Sequence, residues 1–93
     1  MSILARFTPA SSVTTQQYDE SIRRLQDSDG GFPPDGLEIH VAFGAPDNLR
    51  VSEIWDSREK FEAFGQRLMP LLGELGIDPG QPEVVEVYNI VKR

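Results

Sequence analysis

The chain contains one histidine, His40, and one tryptophan, Trp55, and both fall in the stretch Gly36 to Ser57, GLEIHVAFGAPDNLRVSEIWDS. Imidazole changes charge near neutral pH without a large perturbation, and a carboxylate beside it orients the ring and favours its protonated form. Glu53 is the carboxylate that the local pattern offers. A His40 and Glu53 pair can act as a general base toward an acidic phenol or enol, with Trp55 as a stacking wall. The same pair can bind a ligand without turnover, or simply be hydrogen-bonded at a dimer interface and fix its register. Trp55 fits either a core position or a cavity wall.

Two strands must hold these side chains. Leu37, Ile39, Val41 and Phe43 alternate with Glu38, His40, Ala42 and Gly44, and Val51, Glu53 and Trp55 alternate with Arg50, Ser52 and Ile54. Period-two alternation marks strands with two chemically different faces. With Pro46 and Asp47 as the loop, Ala45 faces Asn48, His40 lies opposite Glu53, and Glu38 lies opposite Trp55. One face then carries Leu37, Ile39, Val41, Phe43 and Ile54, and is expected to feed a helix-covered core. The other carries Glu38, His40, Val51, Glu53 and Trp55, and is expected to face a dimer interior.

The remaining elements frame this hairpin. Ser2 to Thr8 alternates as a first strand and stops at Pro9. Thr14 with Gln17 makes a capping-box pattern, and Tyr18, Ile22 and Leu25 follow at helical spacing. Ser28 to Gly36, SDGGFPPDG, is dense in turn formers and reads as a connection or a substrate lid, with Phe32 inside it. Asp56 is the expected N-cap of a second helix with Glu59 at N3. Its apolar stripe is Phe61, Phe64, Leu68, Leu71, Leu72 and Leu75, with a kink or break expected at Pro70 and a left-handed cap at Gly76. Glu83 to Val91 reads as a last strand whose Tyr88 and Asn89 are further candidates to touch a ligand, or to bond across subunits.

Composition narrows the function classes. At 93 residues the chain is expected to be one domain, residues 1–93, small enough that a partner subunit would help complete its core. A formal charge of −6 without a basic cluster argues against nucleic acid. No cysteine is present, which excludes disulfides, thiolate metal sites and a thiol nucleophile and suits a reducing cytoplasm. The first residues show no basic leader followed by an apolar segment, and no apolar run is long enough to span a membrane. One histidine without thiolates gives no basis for a transition-metal site, and the acidic residues lack calcium-loop spacing. No cofactor is expected.

The order β-α-β-β-α-β is the ferredoxin-like, α+β arrangement: a four-stranded antiparallel sheet with two helices on one face. The uncovered sheet face would be apolar, so a homodimer packed sheet to sheet is expected. Within this layout Ser52 to Phe64, SEIWDSREKFEAF, resembles the E-x-W-[DE]-S-x-x-[AK]-F motif of the dimeric α/β-barrel superfamily that includes antibiotic-biosynthesis-type monooxygenases. The hairpin start Pro34 to Ala42, PDGLEIHVA, is similar to that of short actinobacterial-type proteins of this kind. The resemblance implies a homodimer that binds a small aromatic or polyketide-like molecule, with cofactor-independent monooxygenase-type activity, or else a dimeric scaffold without a ligand cavity. Trp55 matches the cavity tryptophan of the quinone-forming enzymes. Val51 and Phe61 stand where those enzymes carry asparagine and tyrosine, and Phe64 and Glu74 where haem-degrading relatives carry tryptophan and histidine.

Overall fold

A computed structural model describes residues 1–93 as β1 (Ile3–Phe7), α1 (Thr15–Asp27), β2 (Leu37–Ala45), β3 (Asn48–Trp55), α2 (Arg58–Glu74) and β4 (Glu83–Glu86). The four strands form one antiparallel sheet in the order β2-β3-β1-β4, the ferredoxin-like arrangement expected from the element order. No helix is long and apolar enough to cross a membrane.

Helix α1 starts where its capping box dictates. Thr14 Oγ1 accepts from the Gln17 backbone N–H, and the Gln17 side chain accepts from the Thr14 N–H. This satisfies backbone donors that the first turn leaves free. Helix α2 begins one residue later than expected. Ser57 is the N-cap, while Asp56 pairs with Lys60 Nζ at 3.1 Å. Pro70 does not break the helix, which runs on to Glu74. Its end is a Schellman motif: Ile77 N–H donates to the Leu72 carbonyl at 2.9 Å, Gly76 N–H to Gly73, and Gly76 adopts φ +72°. Leu72 and Ile77 then pack together with Val13 and Leu49.

The hairpin turn falls at Pro46 and Asp47, with Ala45 opposite Asn48 and His40 opposite Glu53. Two expectations about its faces are overturned. A bulge between Leu37 and Ile39 pairs Leu37, not Glu38, with Trp55. The extra residue shifts the alternation, so Leu37 turns toward the helices while Ile39, Val41 and Phe43 turn away. Through β1, where Ile3 pairs with Trp55, Ala5 with Glu53 and Phe7 with Val51, the covered face is that of Trp55 and Glu53. Trp55 is buried among Ile3, Leu25 and Phe64 on the helix side. It does not face outward.

The period of a strand identifies two faces without saying which one the helices cover. On β2 the covered face carries His40, Ala42 and Gly44, so its apolar volume comes instead from Val13, Leu49, Leu72 and Ile77. The open face carries Val41, Phe43 and Val85, each roughly two-fifths exposed. The last strand is also shorter than expected. It ends at Glu86, one further backbone bond joins Val87 N–H to the Ser2 carbonyl at 3.0 Å, and Tyr88 and Asn89 lie exposed beyond it.

Candidate functional site

Between the two apolar clusters lies a cavity of about 90 Å³. Its walls are mostly apolar, with Val13, Leu25, Phe32, Leu49, Val51, Phe64, Leu68 and Leu72 among them, and its polar side chains are Tyr18, Ser21, His40 and Glu53. An apolar cleft with a few convergent polar groups is the usual form of a small-molecule site. Each polar group comes from a different local rule. Tyr18 and Ser21 sit on the sheet-facing side of α1, and His40 and Glu53 are paired across the β2–β3 ladder.

These side chains form one hydrogen-bonded chain. Tyr18 Oη lies 2.7 Å from His40 Nε2, and His40 Nδ1 lies 2.6 Å from Glu53 Oε2. Trp55 Nε1 donates to Glu53 Oε1 at 3.0 Å. The directions follow from the inventory of donors. Indole N–H can only donate, so Glu53 Oε1 accepts, and the carboxylate suits an N–H from His40 Nδ1 on its other oxygen. With Nδ1 protonated, the neutral ring presents Nε2 as an acceptor toward the Tyr18 hydroxyl. Burial, followed by the charges of Glu53 and Asp19, raises the Tyr18 pKa above its ordinary value. Tyr18 therefore keeps its proton and donates it to His40.

Packing holds this geometry. Glu53 is 4% exposed and His40 16% exposed at the side chain. The Phe32 ring stands edge-on to His40 with centroids 5.2 Å apart, and the Tyr18 ring lies within 23° of the imidazole plane with centroids 5.9 Å apart. Phe32 is held in turn by the loop it belongs to. Arg67 on α2 donates to Ser28 Oγ at 2.7 Å and to the Gly31 carbonyl at 3.1 Å, while its guanidinium lies over Phe64. No buried side-chain polar atom lacks a hydrogen-bond partner.

Of the residues singled out in the sequence, His40, Glu53 and Trp55 are brought together on the helix side of the sheet, not at a sheet-to-sheet interface. His40 and Glu53 line the cavity. Trp55 lies behind Glu53 and contacts Phe61 and Phe64, so it positions the carboxylate and does not form a cavity wall. Tyr88 and Asn89 lie away from the cavity. In the sequence Tyr18 stands only as one position in an apolar stripe. Its hydroxyl was the missed signal, because a tyrosine turned toward a sheet needs a partner for its O–H. His40 and Glu53 are the two possible metal ligands here, and no third His, Cys, Asp or Glu gathers with them.

No protein-family model matches the sequence, and no curated protein matches it either. Solved structures do share its fold. A provisionally assigned antibiotic biosynthesis monooxygenase from Chloroflexus aurantiacus J-10-fl superposes with a TM-score of 0.57 at 14% identity, over 98% of this chain and 95% of its own. SnoaB, a cofactor-independent oxygenase from Streptomyces nogalater, superposes with a TM-score of 0.58 at 13% identity, over 99% of this chain and 96% of its own. The chain therefore has the fold of antibiotic-biosynthesis-monooxygenase-like proteins over essentially its whole length.

Proposed function

We propose that the protein binds a small aromatic molecule with an acidic hydroxyl in the cavity beside His40 and carries out cofactor-independent, oxygenase-type chemistry on it. The observation that carries this reading is a histidine backed by a buried carboxylate at the wall of an apolar cavity. In this reading His40 takes up the hydroxyl proton, Glu53 stabilises the resulting imidazolium, and the apolar walls exclude water from the phenolate. An electron-rich phenolate then reacts with dioxygen directly. For a ring with a free para position, one oxygen atom becomes the second quinone carbonyl. The other leaves as water with the ring hydrogen and the hydroxyl hydrogen. The shared fold with SnoaB supports the reaction class by analogy alone.

Cavity size limits the ligand. About 90 Å³ is less than the roughly 150 Å³ that accommodates benzene in an engineered cavity. Even a single ring must therefore reach into the mouth or displace Phe32, and a polycyclic, polyketide-like molecule would leave its other rings outside the cavity. Oxygen uptake with electron-rich phenols tests the reading. His40→Ala should lower the rate by about a hundredfold or more. Unchanged uptake in that variant removes His40 from the chemistry, and a ligand that raises Tm without any oxygen uptake marks a binding protein instead.

The same proposal includes a second copy of the chain on the open sheet face and action in the cytoplasm. Exposed Val41, Phe43 and Val85 on one sheet face support the homodimer. A single monomeric species at micromolar concentration in sedimentation velocity would remove it.

A further inference from the structure

Both nitrogens of His40 are occupied: Nδ1 by Glu53 at 2.6 Å and Nε2 by Tyr18 at 2.7 Å. A ligand in the cavity therefore meets no free imidazole nitrogen. Tyr18 donates its one proton to Nε2, which leaves lone pairs on the phenolic oxygen. Tyr18 is itself part of the cavity wall. A ligand hydroxyl in the cavity thus finds an acceptor on Tyr18 Oη, and Oη is already bonded to the base.

We propose that Tyr18 is the catalytic residue that touches the ligand and relays its proton to His40. This rests on the reading of the cavity as a site for an acidic hydroxyl, and it adds the route of the proton. In the relay the ligand O–H bond breaks as its proton joins Tyr18 Oη. In the same event the original Tyr18 proton passes to His40 Nε2. The products are a ligand phenolate, a neutral Tyr18 and a His40 imidazolium held against Glu53. No electron is gained or lost, and the total charge of the site is unchanged.

The surroundings favour a relay over a swinging gate. The Tyr18 ring lies within 23° of the plane of the His40 ring with centroids 5.9 Å apart, and the Phe32 ring stands edge-on to the imidazole at 5.2 Å. The Ser21 hydroxyl donates to the Tyr18 carbonyl at 2.6 Å, and the helix N-terminus four residues back is fixed by the Thr14 and Gln17 box. The charged or titratable groups facing Tyr18 are His40 from β2, Glu53 from β3 and Asp19 from its own helix. Burial and the negative charges of Glu53 and Asp19 keep the phenol protonated, so it can pass a proton on while ending neutral.

The test uses 4-nitrophenol, whose neutral and ionised forms differ in colour, under anaerobic conditions so that no oxygenation is required. In the wild-type protein the bound probe should be mostly ionised at a pH about one unit below its free pKa, where about a tenth of the free compound is ionised. Tyr18→Phe should retain affinity within about fivefold, because one neutral hydrogen bond contributes only about 1 kcal/mol. It should lose the ionisation. A Tyr18→Phe protein that ionises the probe as well as the wild type, or better, overturns the relay, since His40 would then act directly.

A second measurement stands if that variant fails to fold or to bind. His40 is the only histidine, so its ring nitrogens can be followed individually by nitrogen-15 NMR in the wild type. Saturation with 4-nitrophenol should protonate Nε2 while the through-space contact between the Tyr18 and His40 rings persists. Protonation with loss of that contact shows Tyr18 swinging aside and overturns the proposal, as does an imidazole that stays neutral. Oxygen uptake is not read in either measurement. A relay without oxygenation would sink the oxygenase reading alone, and oxygenation in Tyr18→Phe would sink the relay alone.

Discussion

The two faces of the sheet reverse the usual association of polarity with exposure. On the helix side, a glutamate and a tryptophan are buried and bonded to a half-buried histidine, which a half-buried tyrosine meets in turn. On the open side, a valine and a phenylalanine of the same hairpin stand exposed. What separates the two is hydrogen-bond satisfaction. A buried polar group is costly when unpaired, yet the chain from Tyr18 to Trp55 leaves no buried side-chain atom without a partner. The open face needs no such network and has nothing of this chain to cover it. The lesson is that the covered face is the one whose polar groups can satisfy each other.

The largest effect should come from breaking the buried chain at its centre. Glu53 accepts from both His40 and Trp55. Glu53→Ala strands two buried N–H donors, and the expected loss is about 2–5 kcal/mol of folding stability, read by urea denaturation with Trp55 fluorescence. Glu53→Gln should fall between wild type and alanine, at about 1–3 kcal/mol, since its amide offers one acceptor and turns N–H groups toward the other donor. If both variants unfold at the wild-type midpoint, the chain is not a stabilising feature and the contrast between the faces fails.

Much of this architecture is legible in the residues. The capping box at Thr14, the stripe of two phenylalanines and four leucines along α2 and its C-cap, the glycine at 76 and the turn at Pro46 and Asp47 each rest on local rules, and all appear where those rules place them. His40 opposite Glu53 follows from the turn alone. The assignment of faces depends on contacts far apart in sequence. A bulge at Glu38 changes the parity of one residue, Leu37, and gives no period-two signal of its own. Counting apolar residues on β2 selected Ile39, Val41 and Phe43 as core. The core on that side is completed instead by Val13, from the connection before α1, whose carbonyl accepts from Leu49 N–H at 3.0 Å. The site depends on the same distant contacts. For Trp55 the sequence leaves core and cavity wall both open, because its neighbours across the sheet lie far away in the chain, and the role of Tyr18 is hidden because its partner lies on another element.

A smaller effect on folding is expected from charging the open face. Val41 is 46% exposed there, and Val41→Lys should change the stability of the isolated chain by about 0.5 kcal/mol or less. Its effect on self-association should be far larger. If a second copy covers this face, one buried lysine per chain would weaken the dimer by tenfold or more, an energy of about 1.4 kcal/mol, visible in a dilution series by sedimentation. Equal association in Val41→Lys and wild type would place any dimer contact elsewhere. A loss of several kcal/mol in folding would instead mean that the open face is part of the monomer's own core.

The smallest effect belongs to the solvent side of α1, where charges meet at the surface and not in burial. Glu20 accepts from both Arg23 and Arg24, and these hydrogen bonds lower its pKa from 4.5 to about 2. A carboxyl with a folded pKa below its unfolded value stabilises the fold above the unfolded pKa. That contribution is lost as the pH falls through the folded one. The window is therefore from about pH 4.5 down to about pH 2. Such surface pairs contribute little and are screened by salt. Added salt should therefore flatten this part of the acid titration, followed by circular dichroism, and Glu20→Gln should flatten it equally without salt. The Tyr18 to Trp55 chain on the other side of the same helix should be nearly indifferent to ionic strength, because ions do not reach it. Matching salt responses for Glu20→Gln and Glu53→Gln would show that burial makes no difference between the two networks, and the comparison of covered and open surfaces would lose its physical basis.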